Sequence, residues 1–407
     1  MTVLLLTVLT ATSQGSVGAE FASFAREWIA EARSQGTIID PVDEAIFTRT
    51  LEGFGFYLDE AYGERKRERV FARVSVPCDL TDALDKVTGK DFEELYPGFY
   101  SWSERGSGPP VSTGRSQSEH FTYYYTPGTA AARDIELIKL AAESAFDVVF
   151  GLLGADSTLQ GRLERIVYRN QPTGGRIPVT FYQARTQIRG PDKILGGETV
   201  FKPEWKSDTV VYILEIRLAY PGSAGLYGIP HEMAHALTLL FLADEAELTP
   251  LLRDRSYSLI NSLAQALPRS DYLRSEGWAY SVQFNHFTYA RLGLMQDSKE
   301  RSRRMLEKNC LPGIDEIITS EVEKTLKEKF LAFIGFGGRA YNQRTARLET
   351  ASADLMRFLG REYGPASLRQ FLTQPGTTER AMIAVYGKTP GQIEKEWRRD
   401  ITRQGRN

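Results

Sequence analysis

Two histidines and a glutamate lie within five consecutive residues, at a spacing typical of a metal site. The segment reads His231-Glu232-Met233-Ala234-His235, in a chain that has four histidines. On a helix, residues four apart share one face about one turn from each other, so both imidazoles can bind one ion. Zinc bound in this way lowers the pKa of a water to about 7, and Glu232 can accept its proton without binding the metal. The alternative is a pair of exposed or capping histidines.

A catalytic zinc needs a third protein ligand and an open position for water. The metzincin arrangement has Gly and His further along the same helix, but Thr238 and Phe241 occupy those positions and exclude that class. Among the acidic residues that follow, Glu276 is the best candidate. It opens a predicted helix, and Gly277 and Ala279 are small enough to let that helix approach the one that carries the histidines. The alternative is an ordinary glutamate that interacts with a helix N-terminus.

The other candidate ligands are less suitable. Glu245 and Glu247 are too close to the histidines along the chain unless their helix ends at once. Asp254 stands between two arginines, as in a surface ion pair. His286 lies about 15 Å further along the helix of the preferred glutamate, so the two cannot share an ion. His120 has no partner at a useful spacing and is expected to be solvated.

The motif HEMAH, a gap of about forty residues and the segment SEGWAY resemble the gluzincin metallopeptidases, in particular the peptidase-MA-like group. The likeness extends roughly over residues 119–401 and includes a closing helix with Glu394 and Trp397. The resemblance implies a zincin-like fold and a peptidase with one zinc ion per chain. It also implies individual roles, with Glu232 as the general base and three zinc ligands: His231, His235 and Glu276.

Gluzincins usually supply a further Tyr or His that donates to the oxyanion of the tetrahedral intermediate. Tyr341, which follows a glycine-rich loop at residues 335–338, is the first candidate here. Tyr280, one turn after Glu276, is the second. Either tyrosine can instead be a packing residue.

Apolar patterns predict a sheet followed by many helices. Residues 209–218 form the best predicted strand, because β-branched residues are frequent there. This strand either lies inside a sheet or pairs with an extended peptide. Further strands are predicted at 121–125, 165–168 and 177–182, and an amphipathic helix at 131–153. The later helices are predicted at 230–243, 251–266, 274–291, 299–307, 315–332, 345–363, 377–386 and 390–402.

Changes in composition divide the chain into segments. Residues 1–19 resemble a signal peptide for export to the periplasm or the cell exterior, although no basic residue precedes the apolar stretch; otherwise the protein is expected in the cytoplasm. Gly, Ser and Pro dominate residues 103–118, which predicts a linker. It separates a mainly helical domain, residues 20–102, from the metallopeptidase domain, residues 119–402. The predicted class is therefore α+β, a small mixed sheet followed by a large helical lobe and preceded by a helical domain.

Charge and hydropathy exclude other classes of protein. The 407 residues include 50 basic and 52 acidic side chains, so the chain lacks the basic surface typical of nucleic-acid binding. No uncharged apolar run reaches about 18 residues, so no transmembrane segment is predicted. Cys78 and Cys310 are too far apart for a Cys-x-x-Cys motif, and either pair or remain thiols.

The helical domain has a faint likeness to the end of the chain. YLDEAYG precedes TGKDFEELYPGF in the first, and FLGREYG precedes YGKTPGQIEKEW in the second, at similar intervals. Both predict a helix that ends at Tyr-Gly, then Gly-Lys and another helix. The helical domain is either a partial copy without the catalytic segment or a coincidence, since helices often end in glycine.

Two functions fit these patterns. The first is a zinc-dependent peptidase that acts on a peptide or protein substrate. The second is a binding or scaffold protein on an inactive peptidase-like fold, in which zinc is structural or absent and the helical domain covers or presents the cleft. A zinc hydrolase of a non-peptide amide would use the same residues as the first. Substrate and oligomeric state stay open.

Overall fold

The computed structural model describes residues 16–36, 39–90, 92–105, 113–154, 157–189, 196–242, 245–253, 272–286, 298–319 and 337–403. Within them the fold is α+β, as the sequence predicts, with helices before and after one small mixed sheet. Of the helices in these ranges, none is long and apolar enough to cross a membrane.

The N-terminal helices have a hydrophobic core of their own, built on buried aromatic rings that include Phe21, Phe54 and Phe99. The second helix starts where the carboxylate of Asp40 accepts a hydrogen bond from the Val42 N–H. The elements are α1 (Ser16–Ser34), α2 (Pro41–Tyr62), α3 (Glu64–Phe71), α4 (Leu80–Thr88) and α5 (Phe92–Ser103).

The described strands are β1 (Gly114–Gln117), β2 (Phe121–Tyr125), β3 (Ile166–Tyr168), β4 (Gln171–Pro172), β5 (Ile177–Tyr182), β6 (Gly197–Lys206) and β7 (Thr209–Ala219). They form one sheet in the order β1-β2-β5-β7-β3-β4, with β6 beside β7. Strand β7 pairs antiparallel with β6 along its length and in parallel with β5 and β3 on its other edge. It is therefore an interior strand, and the alternative, that it pairs with a bound peptide, is wrong.

Strand β6 was missed by the sequence analysis. Its segment contains Pro203 and four charged residues, which weaken any β pattern. The strand forms because it pairs with β7 from Gly197 opposite Leu218 to Lys206 opposite Thr209. A proline is tolerated at such an edge position, where no ladder hydrogen bond from its nitrogen is needed.

Helices cover the apolar face of the sheet and then form the C-terminal lobe. Ile138, Val149 and Met233 from these helices join Leu214 of β7 in the main core. The helices that alternate with the strands are α6 (Ala130–Arg133), α7 (Ile135–Leu153) and α8 (Ser157–Leu163). Those after the sheet are α9 (Gly228–Leu242), α10 (Glu245–Arg253), α11 (Trp278–His286), α12 (Ser298–Glu307), α13 (Ile314–Thr319), α14 (Gly337–Thr373), α15 (Thr378–Tyr386) and α16 (Pro390–Arg403).

The predicted linker is partly structured. Helix α5 continues to Ser103, and residues 114–117 form β1, which pairs with β2. Residues 106–112 lie outside the described part of the chain, as do residues 1–15 of the predicted signal peptide. Helix α1 begins at Ser16, before the end of that predicted segment.

The N-terminal helices pack directly on the end of β7. The buried hydroxyl of Tyr100 donates to the carbonyl oxygen of Ala219 at 2.8 Å. Arg185 and Glu104 form an ion pair at 2.8 Å nearby, and Ile188 shares the core of the N-terminal helices. The two halves are therefore joined by buried polar and apolar contacts.

The regions that resemble each other in sequence also have the same order of helices. Helix α2 ends at Gly63, with φ 83° and ψ 152°, and α14 is broken at Gly364, with φ 83° and ψ 164°. Further on, Gly89 and Gly387 end α4 and α15 in the left-handed region, at φ 72° and 66°. These conformations favour glycine, and the partial repeat stays a prediction.

We expect Tyr100→Phe to lower the free energy of unfolding by about 1 kcal/mol, because one buried hydrogen bond to Ala219 is lost while the ring packing stays. Urea titration followed by circular dichroism measures this change. Tyr62→Phe, at the half-buried end of α2, is the control and should change the stability by less than about 0.5 kcal/mol. Equal stability of the two variants would contradict the buried contact.

Candidate metal centre

Helix α9 carries both histidines and is anchored at each end. It follows β7 through a 3₁₀ turn at Ser223–Tyr227, and Pro230 lies in its first turn, where a missing N–H costs no helical hydrogen bond. At its other end the guanidinium of Arg162 donates to the carbonyl oxygens of Leu240 and Phe241, at 3.0 and 2.7 Å. The last carbonyl oxygens of a helix have no hydrogen-bond donor within the helix, and Arg162 supplies one here.

Glu276 lies in one turn of π-helix, Leu273–Gly277, that leads into α11. The buried guanidinium of Arg274 donates to the carbonyl oxygen of Gln374, at 2.6 Å. One residue after the π turn, the indole N–H of Trp278 donates to Oγ1 of Thr238 on α9, at 2.9 Å. The turn that carries Glu276 is thus joined both to the C-terminal lobe and to the histidine helix.

Gly277 has a different role from the one expected. A Cβ atom on Gly277 would lie 2.8 Å from Cβ of Ser352, which belongs to α14. The glycine therefore permits close packing of the π turn on α14, and the prediction that it allows approach to α9 is wrong for this residue.

The three candidate ligands converge on one point. Nε2 of His231 lies 3.2 Å from Nε2 of His235 and 3.3 Å from Oε2 of Glu276. Nε2 of His235 lies 3.5 Å from Oε1 of the same carboxylate. Tetrahedral zinc with bonds of about 2.0–2.1 Å keeps its ligand atoms roughly 3.3–3.5 Å apart. The two nitrogens lie near that separation, but each meets a different oxygen of Glu276, and with one ligand atom from each residue the group lies within 4.8 Å. Within the described residues, no other group of three such side chains is this close.

Charge states at two of the three candidate ligands suit a cation. Burial lowers the pKa of His235 to about 4, which leaves a neutral imidazole near neutral pH. Burial acts to raise the pKa of Glu276, but its hydrogen bond with His231 and the nearby histidine charges outweigh this effect and lower the pKa to about 2. A neutral imidazole and an ionised carboxylate are the forms that bind metals. At His231 burial acts to lower the pKa, but the hydrogen bond with Glu276 and the nearby carboxylates outweigh it and raise the pKa, so a metal that binds there must displace a proton.

Glu232 lies beside the three donors but points to strand β6. Its Oε2 accepts a hydrogen bond from Oγ1 of Thr199 at 2.8 Å, and its side chain is buried. Burial raises the pKa of Glu232 to about 7, against the opposing effects of His231 and Thr199. The carboxylate is thus not one of the three converging groups, and its role as a general base stays a prediction.

Of the two tyrosine candidates, the structure describes the side chain of Tyr280 but not that of Tyr341. The ring of Tyr280 packs edge-on against His231, with centroids 4.6 Å apart, and its hydroxyl donates to Oε1 of Glu349 at 2.8 Å. To donate to an oxyanion, this hydroxyl would have to leave Glu349. Tyr341 belongs to the first turns of α14, and its side chain lies outside the described part of the chain. A role for either tyrosine stays a prediction.

Other residues weighed as ligands do not reach the site, where they are described. His286 is exposed at the end of α11. His120 was expected to be solvated, and this is wrong: its Nδ1 lies 2.7 Å from Oε2 of Glu143, and its ring stacks on Phe146 at 3.8 Å. Asp254 and the side chains of two α10 residues lie outside the described part: Glu245 and Glu247.

Comparison of the chain with protein-family models, curated proteins and solved structures found no match.

We expect the purified protein to hold about one zinc ion per chain, and Glu276→Ala to bind zinc at least about 100-fold more weakly, since a lost ligand costs more than a lost outer contact. Elemental analysis and competition with a coloured chelator measure both quantities. Glu143→Ala, which removes a carboxylate from the His120 pair, should keep the zinc. Unchanged zinc affinity in Glu276→Ala would contradict the proposed ligand set.

Proposed function

We propose that the chain is a zinc-dependent metallopeptidase of the gluzincin type, with a zincin-like fold around the metal. The observation that carries this proposal is the convergence of His231, His235 and Glu276, in which the closest atoms of each pair are 3.2 to 3.5 Å apart. The arrangement of the sheet before the histidine helix and a helical lobe after it supports the same family. The proposal includes one zinc ion per chain and a peptide or protein substrate.

Each side chain would have a distinct task. The two imidazoles and the Glu276 carboxylate hold the metal, which when bound supplies a Lewis acid that polarises the scissile carbonyl and makes water nucleophilic. Glu232 accepts a proton from the attacking water as the C–O bond forms. It returns that proton to the amine nitrogen as the C–N bond breaks, so the carboxylate is regenerated.

Strand β6 offers a place for an extended substrate. On one edge it pairs with β7, and no other described strand pairs with it. Its first residues lie against Glu232, through Gly197 and Thr199. A peptide that adds to the outer edge of β6 would therefore pass close to the general base, with its backbone groups paired.

The scaffold hypothesis is the alternative, and a non-peptide amide is the alternative substrate. Substitution of Glu232 distinguishes both alternatives from a peptidase. A scaffold cleaves nothing with or without Glu232. An amide hydrolase depends on Glu232 but cleaves small amides instead of peptides. The removal of residues before 115 is a poor test of either, because it deletes Tyr100 and with it the buried hydrogen bond to Ala219.

We expect Glu232→Gln to lower peptide cleavage by about 10²- to 10⁴-fold, the usual contribution of a general base, while the zinc content stays at the wild-type level. A diverse library of internally quenched peptides, incubated with the zinc-loaded full chain, measures the rate. Glu143→Gln is the control and should cleave like the wild type. Absence of cleavage by the wild type, or equal cleavage by Glu232→Gln, would contradict the proposal.

A further inference from the structure

Strand β6 makes a contact with Glu232 that metal binding does not require. The hydroxyl of Thr199 lies 2.8 Å from Oε2 of Glu232 and 3.1 Å from the backbone carbonyl oxygen of the same residue. The Glu232 side chain belongs to a residue that is only 7% exposed. Since water has little access to this carboxylate, a single donor determines the orientation of its two oxygens to a large extent.

Gly197 lies two residues before Thr199 and faces the same carboxylate. A Cβ atom at this position would lie 2.6 Å from Oε1 and 2.7 Å from Cγ of Glu232, closer than such atoms approach. Gly197 pairs with Leu218 in the ladder, and it does not belong to the described glycines that have a positive φ. Space for Glu232, and not backbone conformation, is therefore the reason for glycine here.

The two contacts divide the oxygens of the carboxylate. Thr199 occupies Oε2, whereas Oε1 lies over the position where Gly197 has no side chain. Residues two apart in a strand project to the same face, which is why one strand can supply both contacts. One strand therefore both donates a hydrogen bond to the Glu232 carboxylate and leaves room for it.

We propose that β6 positions the general base: Thr199 is a positioning residue that fixes Oε2 of Glu232, and Gly197 keeps room for Oε1. The inference rests on the proposed function in one respect, the role of Glu232 as the base. It adds to that function the two residues of β6 that orient this carboxylate, Thr199 and Gly197. It also gives a reason why the start of β6 packs against the histidine helix at Glu232.

The test measures how much the Glu232 carboxylate contributes to the affinity for a small metal-binding probe. Acetohydroxamate is titrated into the cobalt-loaded full chain, and the visible absorption of cobalt reports its dissociation constant. The N–H and O–H groups of the probe can donate hydrogen bonds to a carboxylate that is correctly oriented. Wild type is compared with Thr199→Val, which keeps the shape but loses the donor, and with Thr199→Ser, which keeps the donor.

We expect Thr199→Val to weaken acetohydroxamate binding by about tenfold, the loss associated with one hydrogen bond to a charged group, with an unchanged cobalt content. Thr199→Ser should restore most of the affinity. Gly197→Ala should also weaken binding, and the double variant Gly197→Ala, Thr199→Val should be no weaker than the worse single variant, since both act through Glu232.

The control uses a matching contact elsewhere in the sheet. The buried hydroxyl of Thr180 donates to Oε1 of Glu215 at 2.6 Å. Thr180→Val removes an equivalent hydrogen bond and should lower the stability, yet leave the affinity for acetohydroxamate unchanged. A general loss of stability therefore cannot imitate the expected result.

Wild-type affinity in Thr199→Val would overturn the positioning proposal, as would failure of the wild type to bind cobalt or a wild-type affinity that does not depend on Glu232. Failure of the peptidase proposal has a different signature. If the wild type cleaves no peptide but its acetohydroxamate affinity depends on Thr199, the peptidase proposal falls, whereas the finding that Thr199 orients the Glu232 carboxylate stands. If wild type and Thr199→Val cleave peptides equally, the peptidase proposal stands and the positioning proposal falls.

Discussion

The proposed metal site depends on one constraint: donor atoms from two separate helices must meet within the span of one ion. His231 and His235 meet this constraint through helical spacing alone, because one turn separates them. Glu276 meets it only if its π turn stays in register with α9. The hydrogen bond from Trp278 to Thr238 joins these two elements directly, and Arg274 holds the other side of the turn on the C-terminal lobe.

The sheet packs against the histidine helix, and the N-terminal helices pack against the sheet. Strand β7 is buried in the sheet and leads into the histidine helix, while β6 lies beside it and contacts Glu232. The N-terminal helices pack on the end of β7 through Tyr100, close to the residues that begin the turn into α9. Among the described residues they contribute no candidate ligand.

Much of the fold and of the site could be predicted from the sequence, for physical reasons. Spacing along one helix is a local property, so His231, Glu232 and His235 could be recognised without tertiary structure. The strand at 209–218 was predicted from its β-branched residues, but its interior position depends on partners that are distant in the chain. Strand β6 was missed because pairing with β7, and not its own composition, makes it a strand. Thr199 and Gly197 were missed with it, since nothing in their types points to Glu232.

X-ray absorption at the zinc edge of the zinc-loaded full chain tests the central claim most directly. The account predicts two imidazole nitrogens at about 2.0–2.1 Å and carboxylate or water oxygens at about 2.0–2.2 Å, in a site with four or five ligands. A sulfur ligand at about 2.3 Å, which Cys78 or Cys310 would supply, would contradict it. A zinc ion without imidazole ligands would contradict it as well, because it would separate the metal from His231 and His235.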